Sequence, residues 1–441
     1  MTIDATHDVS LRSWVQSAHA EGSDFTIQNL PLGAFRSAGG SAGARIGVAI
    51  GDKVLDLAHA REAGWLDGLH VDAVEACGEP TLTPLFAVGR PALTALRARI
   101  SAILRADTPE GARARGDSSL TIPMSEVEMV LPAAVGDYTD FYASIDHATN
   151  VGKMFRPDNP LLPNYRHVPI GYHGRASSLV VSGTPVRRPH GQTVSAPDGP
   201  PVFGPSARMD YELEVGAFVA AGNALGAAIP LGEAESHIAG LVLVNDWSAR
   251  DVQTWEYQPL GPFLSKSFAT TVSPWVVTLD ALAPFRAPAR PRAAGEPVAL
   301  PYLTNARDQA SGGVALTLEV WLRTERMREA GTAAVRLSRG GFTGMYWTLG
   351  QLLTHHASNG CSLRPGDLMA SGTVSGPSKE SRGCLLELAQ RGSEPVALPN
   401  GETRAFLHDG DEVILKGWCE RPGTARVGLG ECRGTLVAAA D

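Results

Sequence analysis

Residues 210–219 read Asp210-Tyr211-Glu212-Leu213-Glu214-Val215-Gly216-Ala217-Phe218-Val219, an apolar run opened by carboxylates. If the run is a strand, Glu212 and Glu214 point to the same face. Two like charges beside a buried apolar strand repel and resist desolvation unless a cation sits between them. A hard divalent metal would meet that need. Exposed strands also carry Glu-x-Glu pairs, so a solvated strand is the alternative. A second stretch follows the apolar run Gly240–Val244: Asn245-Asp246-Trp247-Ser248-Ala249-Arg250-Asp251. A strand ending there delivers Asp246 at its tip.

Outward from these two stretches the texture is that of short strands between Gly/Pro turns. The runs are Leu179–Val181, Leu213–Ala220, Leu241–Val244, Trp275–Leu279, Val314–Leu322, Leu385–Leu388 and Glu412–Leu415. With 48 glycines and 31 prolines and little helical periodicity, the chain reads as mainly β with some helices, an α+β protein built on a β-sandwich or rolled sheet. Towards the N-terminus, Ala44–Ile50 and Val54–Leu57 flank Gly51-Asp52-Lys53, a hairpin with glycine in its turn. Pro91–Arg105 spaces Leu93, Leu96, Ile100, Ile103 and Leu104 by three and four, as an amphipathic helix does. Residues 107–120 are rich in Gly, Arg, Asp and Ser and read as a linker. They divide an N-terminal domain, 1–125, from a larger one, 126–441. Residues 284–301, rich in Pro, Arg and Ala, read as a surface excursion.

A chain of 441 residues exceeds one ordinary core. Its net charge of −8 argues against nucleic acid or an anionic membrane as the main partner. The five cysteines, Cys77, Cys361, Cys384, Cys419 and Cys432, are scattered and form no CxxC pair. That pattern suits reduced thiols in the cytoplasm better than a disulfide framework or a zinc site. No signal peptide and no apolar run of membrane-spanning length is visible.

Two polar stripes are candidates for chemistry. Asp246, Arg250, Gln253 and Tyr257 fall at i, i+4, i+7 and i+11, flanked by Trp247 and Trp255, with Lys266 following. The stripe is either a solvated helix face or the wall of a pocket. Asp140, Ser144 and His147 repeat the spacing, and His147 is either a general base or a surface histidine. His355 and His356, adjacent and therefore divergent, read as structural. As ligands, Asp140, Glu212, Glu214 and Asp246 offer only oxygen, which favours Mg²⁺ or Ca²⁺. Lys266 and Arg250 would relieve their excess negative charge. There is no Walker loop and no Gly-x-Ser-x-Gly elbow.

Longer motifs in order resemble the fumarylacetoacetase family. They are Gly136-Asp-Tyr-Thr-Asp-Phe-Tyr142, His147-Ala-Thr-Asn-Val-Gly152, Pro169-Ile-Gly-Tyr-His-Gly-Arg-Ala-Ser-Ser178, the 245–251 stretch, Trp255-Glu-Tyr257, Pro259-Leu-Gly-Pro-Phe263, Arg364-Pro-Gly-Asp-Leu368 and Ala370-Ser-Gly-Thr-Val-Ser-Gly376. The opening Ser23-Asp-Phe-Thr-Ile-Gln-Asn-Leu-Pro-Leu-Gly33 is similar too, so the resemblance spans nearly the whole chain.

The resemblance implies an N-terminal SH3-like β-barrel, a C-terminal mixed β-sandwich roll and a homodimer. It implies hydrolysis of 4-fumarylacetoacetate to fumarate and acetoacetate, the last step of tyrosine and phenylalanine breakdown. Asp140, Glu212, Glu214 and Asp246 are then metal ligands, with Lys266 and Thr270 beside the metal. His147 is the general base, oriented by Glu387, and Arg250, Gln253 and Lys266 stabilise the oxyanion. Tyr142, Arg156, Tyr172, Gln253, Tyr257 and Thr373 match substrate-contacting positions. Ala269 departs from the family's more frequent glycine. The competing expectations are an acylpyruvate hydrolase or a metal-dependent 2-oxoacid lyase of the same superfamily. A silent Ca²⁺-binding protein would have no need of His147, Glu387 and Lys266 together.

Overall fold

The computed structural model describes residues 2–40, 43–196 and 199–440. In the first third, five antiparallel strands form a half-barrel in the order Thr121–Pro123, Lys53–Asp56, Arg45–Ile50, Leu32–Ser37, Val127–Val130. The predicted hairpin is present: Ile50 pairs with Lys53 across a turn in which Gly51 takes φ +56°. A left-handed backbone is cheap only for a residue without Cβ.

The predicted amphipathic helix runs Arg90–Leu104 and buries Leu93, Leu96, Ile100, Ile103 and Leu104. The expected linker at 107–120 is instead largely helical. Pro109–Gly116 forms a helix whose start is capped by Thr108, which accepts from the Gly111 N–H. The polar composition concealed a Thr-Pro helix start. Val127–Val130 pairs with Leu32–Ser37, so the N-terminal sheet continues past the expected boundary at residue 125.

Among the described residues, the larger unit holds two large sheets and four two-stranded ones. The main one runs Gly171–Gly174, Tyr138–Phe141, Leu368–Ala370, Leu213–Val219, Ile238–Asp246, Thr270–Val272, Leu179–Val181, with Val277–Thr278 also pairing to Ile238–Asp246. The second runs Val335–Gly341, Thr317–Arg323, Glu412–Cys419, Val427–Val437, Val186–Arg187. Leu213–Val219 and Ile238–Asp246 are buried along their whole length. That explains the unbroken apolar runs 215–219 and 238–244 within them, since both faces are covered.

Leu241 and Leu243 pack with Leu318, Val320 and Leu415 of the second sheet. Val242, Val244 and Phe218 pack with Leu32, Ile46, Leu55 and Leu96 of the N-terminal unit. Each such side chain contributes roughly 1.5–3 kcal/mol when fully buried. The half-barrel is thus the lid of one sheet face, and the second sheet covers the other.

One predicted strand is a helix: Leu385–Leu388 forms a single helical turn, buried at every residue. Four apolar-rich residues do not distinguish a buried strand from a buried helical turn. Among the described residues, no helix is long and apolar enough to cross a membrane.

Candidate active site

The two polar stripes do not lie on single helices. Asp140 sits in the strand Tyr138–Phe141, Ser144 is the N-cap of the helix Ile145–Phe155, and His147 lies in that helix's first turn. Likewise Asp246 ends the strand Ile238–Asp246, the helix runs Arg250–Glu256, and Tyr257 is its C-cap. In both cases a strand end and a helix start share one segment, and i, i+4 spacing across that break is coincidental.

The sheet explains why four separated carboxylates meet. Asp140 is in register with Ala370, Glu214 with Val244, and Asp246 with Thr270. Asp246 follows Val244 by two residues, and Glu214 precedes Phe218 by four, so each shares the face that packs against the N-terminal unit. Oxygens of Asp140, Glu212, Glu214 and Asp246 lie within 4.8 Å of one another, and all four residues are buried.

Two cations stand beside them. Lys266 Nζ is 2.8 Å from Glu212 Oε2 and 2.8 Å from Asp246 Oδ2, and Arg250 Nη1 is 2.7 Å from Glu212 Oε1. Thr270 Oγ1 donates to Asp246 Oδ1, and the Tyr172 hydroxyl donates to Asp246 Oδ2 at 2.9 Å. Ser248 Oγ donates to Glu212 Oε1 at 3.0 Å. Burial opposes ionisation of Glu212, but Lys266 and Arg250 outweigh it and hold its carboxyl below the usual range.

The remaining oxygens are the informative ones. Among the described residues, both carboxylate oxygens of Glu214 and Oδ1 of Asp140 are buried without a hydrogen-bond partner. Burial, then the neighbouring carboxylates, push the pKa of each well above the ordinary value. Four carboxylates against Lys266 and a shared Arg250 leave a surplus of about two negative charges. Orphaned oxygens, a surplus of that size and an all-oxygen donor set fit a divalent cation.

A second cluster lies around Glu387. His147 Nδ1 donates to Glu387 Oε2 at 2.7 Å, and Ser375 Oγ donates to the same oxygen at 2.6 Å. Asn150 Nδ2 donates to Oε1 at 2.8 Å, and Cys384 Sγ is 3.3 Å from Oε2. Burial works against this carboxylate, yet His147 and the hydrogen bonds hold it at about 2. An ionised carboxylate only accepts, so Nδ1 carries the imidazole proton and Nε2 is left as the basic nitrogen. Ser144 fixes the start of the histidine helix by accepting the His147 N–H at 3.2 Å.

The other expected residues are placed unequally. Gln253 Oε1 accepts from Arg250 Nη1 at 3.0 Å. Tyr142 packs edge-on to the His147 ring at 5.3 Å between centroids. Thr373 is buried, its hydroxyl without a partner among the described residues. Tyr257 is half-exposed, and Arg156 is exposed at the end of the histidine helix, where Nη2 bonds the Pro160 carbonyl. Neither makes a hydrogen bond to the carboxylate cluster among the described residues. Ala269 is buried in the main core. His356 bonds Thr139 and His355 bonds Tyr302, so the two histidines do diverge.

Sequence reasoning assigned no role to Asn150, Ser375, Cys384 or Asp210. Asn150 carried a signal, standing three residues after His147 on the same helix face. Ser375 reaches Glu387 through loop geometry that no spacing encodes, and Cys384 reaches it as the N-cap of the helical turn, three residues before it.

Comparison with known proteins places two family models on the chain. "Fumarylacetoacetase N-terminal" matches residues 28–132, and "Fumarylacetoacetate (FAA) hydrolase C-terminal" matches residues 137–437. The chain is 50% identical to fumarylacetoacetase of Bos taurus over 428 residues, 95% of this chain and 98% of the relative. It is 48% identical to that of Oryza sativa subsp. japonica over 436 residues, 97% and 98% of the two chains. Among solved structures, a fumarylacetoacetate hydrolase from psychrophilic Exiguobacterium antarcticum superposes with TM-score 0.51 at 15% identity, covering 93% of this chain and 99% of that one.

Proposed function

The chain belongs to the fumarylacetoacetase family, and we infer from that premise and the site's geometry how its residues divide the hydrolysis of fumarylacetoacetate in tyrosine catabolism. The observation that carries the reading is the juxtaposition of a buried carboxylate cluster with a buried His147–Glu387 pair.

Asp140, Glu212, Glu214 and Asp246 would hold the cation, with Lys266 and Thr270 fixing the orientation of Asp246. A divalent ion bound there supplies Lewis acidity toward the oxygens of a 1,3-diketone. The oxygen-only donor set favours Mg²⁺ or Ca²⁺.

His147 Nε2 takes a proton from water, and the hydroxide attacks the carbonyl carbon next to the fumaryl group. Glu387 keeps the imidazole in the required tautomer and stabilises its charged form, the task of the acid in a catalytic triad. Arg250, Gln253 and Lys266 meet the developing oxyanion with donors already in place. The carbon–carbon bond then breaks, its electron pair leaving on the carbon that becomes the acetoacetate methyl group. The proton held by His147 passes to that carbon, and the new fumaryl carboxyl releases its own proton to solvent. Fumarate and acetoacetate result, and His147 is neutral again. Arg156 suits a substrate carboxylate. Tyr142, Tyr172, Gln253, Tyr257 and Thr373 would line the substrate's path.

A homodimer fits the exposed apolar side chains Phe203, Trp255, Leu260 and Phe263, which an isolated monomer would leave in water. Five free cysteines suit the reducing cytoplasm. The test is loss of diketone absorbance with fumarylacetoacetate, run beside acylpyruvates. His147→Ala should abolish turnover of the first, and undiminished turnover would remove His147 as the base. Faster turnover of an acylpyruvate would replace the substrate assignment.

A further inference from the structure

Asp210 takes no part in the steps above, yet it is wholly buried and both its oxygens are fully engaged. Oδ2 accepts from Arg250 Nε at 2.9 Å and from the Leu386 N–H at 3.0 Å, with Arg250 Nη2 2.8 Å away. Oδ1 accepts from the Leu385 N–H at 2.8 Å and from the Tyr211 N–H at 2.9 Å. A buried carboxylate is costly unless it is so paired.

These partners come from two parts of the machinery. Arg250 opens the helix Arg250–Glu256 and contacts Glu212 of the carboxylate cluster. Leu385 and Leu386 open the helical turn that carries Glu387. One carboxylate therefore ties the oxyanion donor to the turn that orients the base.

We propose that Asp210 is a positioning residue that fixes the Arg250 guanidinium relative to the Glu387–His147 pair, an inference that rests on the roles given to those residues above. Base and oxyanion donor must act on one carbonyl together. A misplacement of about 1 Å between them costs on the order of 100-fold in rate. Every group facing Asp210 is an N–H donor, so an amide cannot satisfy them all. In Asp210→Asn the –NH₂ opposes either Arg250 together with the Leu386 N–H, or the Leu385 and Tyr211 N–H groups, so in each orientation at least one donor of the helical turn that carries Glu387 is lost.

The experiment is steady-state kinetics of D210N in the full-length, metal-loaded protein. It is read with the proton resonance of His147 Nδ1–H in ¹⁵N-histidine-labelled protein without substrate. Expected are a fall in kcat of about 10- to 100-fold, a KM within about threefold, and a displaced His147 resonance. Wild-type kcat with an unmoved resonance in folded D210N overturns the inference.

The parent reading fails by a different result, turnover in His147→Ala, and the resonance needs no turnover. If D210N does not fold, Arg250→Lys replaces it. The single ammonium of lysine lacks the guanidinium fork that grips Asp210 through Nε and Nη2, and Arg250 hydrogen-bonds Asp210 and Gln253, not the pair. A His147 resonance that moves in R250K supports the strut, and one that stays overturns it.

Discussion

His147 Nδ1 lies 2.7 Å from Glu387 Oε2, and that oxygen also accepts from Ser375 while its twin accepts from Asn150. The pair is therefore a preset unit, its tautomer fixed before substrate arrives. In Glu387→Gln the side chain can present –NH₂ to Nδ1 and favour the opposite tautomer. We expect kcat to fall by roughly 10³- to 10⁴-fold with little change in KM, by analogy with the triad aspartate of serine proteases. Loss of diketone absorbance measures it.

The same carboxylate shapes acid stability. Glu387 is held at about 2 against an ordinary value of 4.5. Between those values the unfolded chain binds more protons than the native one, so stability rises with pH there. The contribution is fully present above pH 4.5 and is lost as pH falls toward 2, on the order of 3 kcal/mol in all. Urea midpoints of wild type and Glu387→Gln between pH 2 and 6 test this. The difference between the two should shrink as pH falls.

Asn150→Ala and Ser375→Ala each leave a buried carboxylate oxygen one donor short. Each should cost about 1–3 kcal/mol of stability and about tenfold in kcat. Since both act on Glu387, the double variant should depart from additivity by about 0.5–3 kcal/mol. Thermal melts and initial rates on the four proteins close the cycle.

Removing the metal should expose the opposite pH dependence. In the chelated protein, burial and neighbouring carboxylates raise Asp140 and Glu214 above their unfolded values. A raised carboxyl favours the fold below the unfolded pKa of about 4, and that benefit is lost as pH rises through the folded value. Added Mg²⁺ or Ca²⁺ displaces those protons. Its increase in Tm should thus be larger at pH 8 than at pH 6. Proton release should accompany titration in weak buffer. Glu214→Gln should blunt both effects.

The fold and site were legible in unequal parts, for physical reasons. Residues 215–219 and 238–244 announce themselves because burial on both faces demands unbroken apolar runs. The four carboxylates stood out because charge next to such runs needs a cation. Helical spacing misled where a strand runs into a helix, as from Asp140 to His147 and from Asp246 to Arg250. Leu385–Leu388 was unreadable because four apolar-rich residues carry no period. Asp210 and Ser375 act through contacts as far as 12 to 176 positions along the chain, set by tertiary packing, and Cys384 meets Glu387 three residues on only because 385–388 is a helical turn. Roles for Glu387 and Thr373 came through resemblance alone.

Phe218 shares its strand face with Glu214, four residues on, and packs at 5.9 Å between centroids against Phe86 of the N-terminal unit. It is fully buried, in one core with Val242, Val244 and Leu96. Phe218→Ala should therefore cost about 3–5 kcal/mol, the range for a buried phenylalanine whose cavity cannot collapse. The damage falls on the contact between half-barrel and sheet, away from the carboxylates at the strand's other end. Unfolding in urea should shift to lower concentration, and limited proteolysis should release the N-terminal unit sooner. Below the lowered Tm, kcat and KM should stay within about twofold of wild type. A kcat that collapses while the protein is still folded would mean that the half-barrel shapes the site directly, beyond covering the far end of the same sheet face.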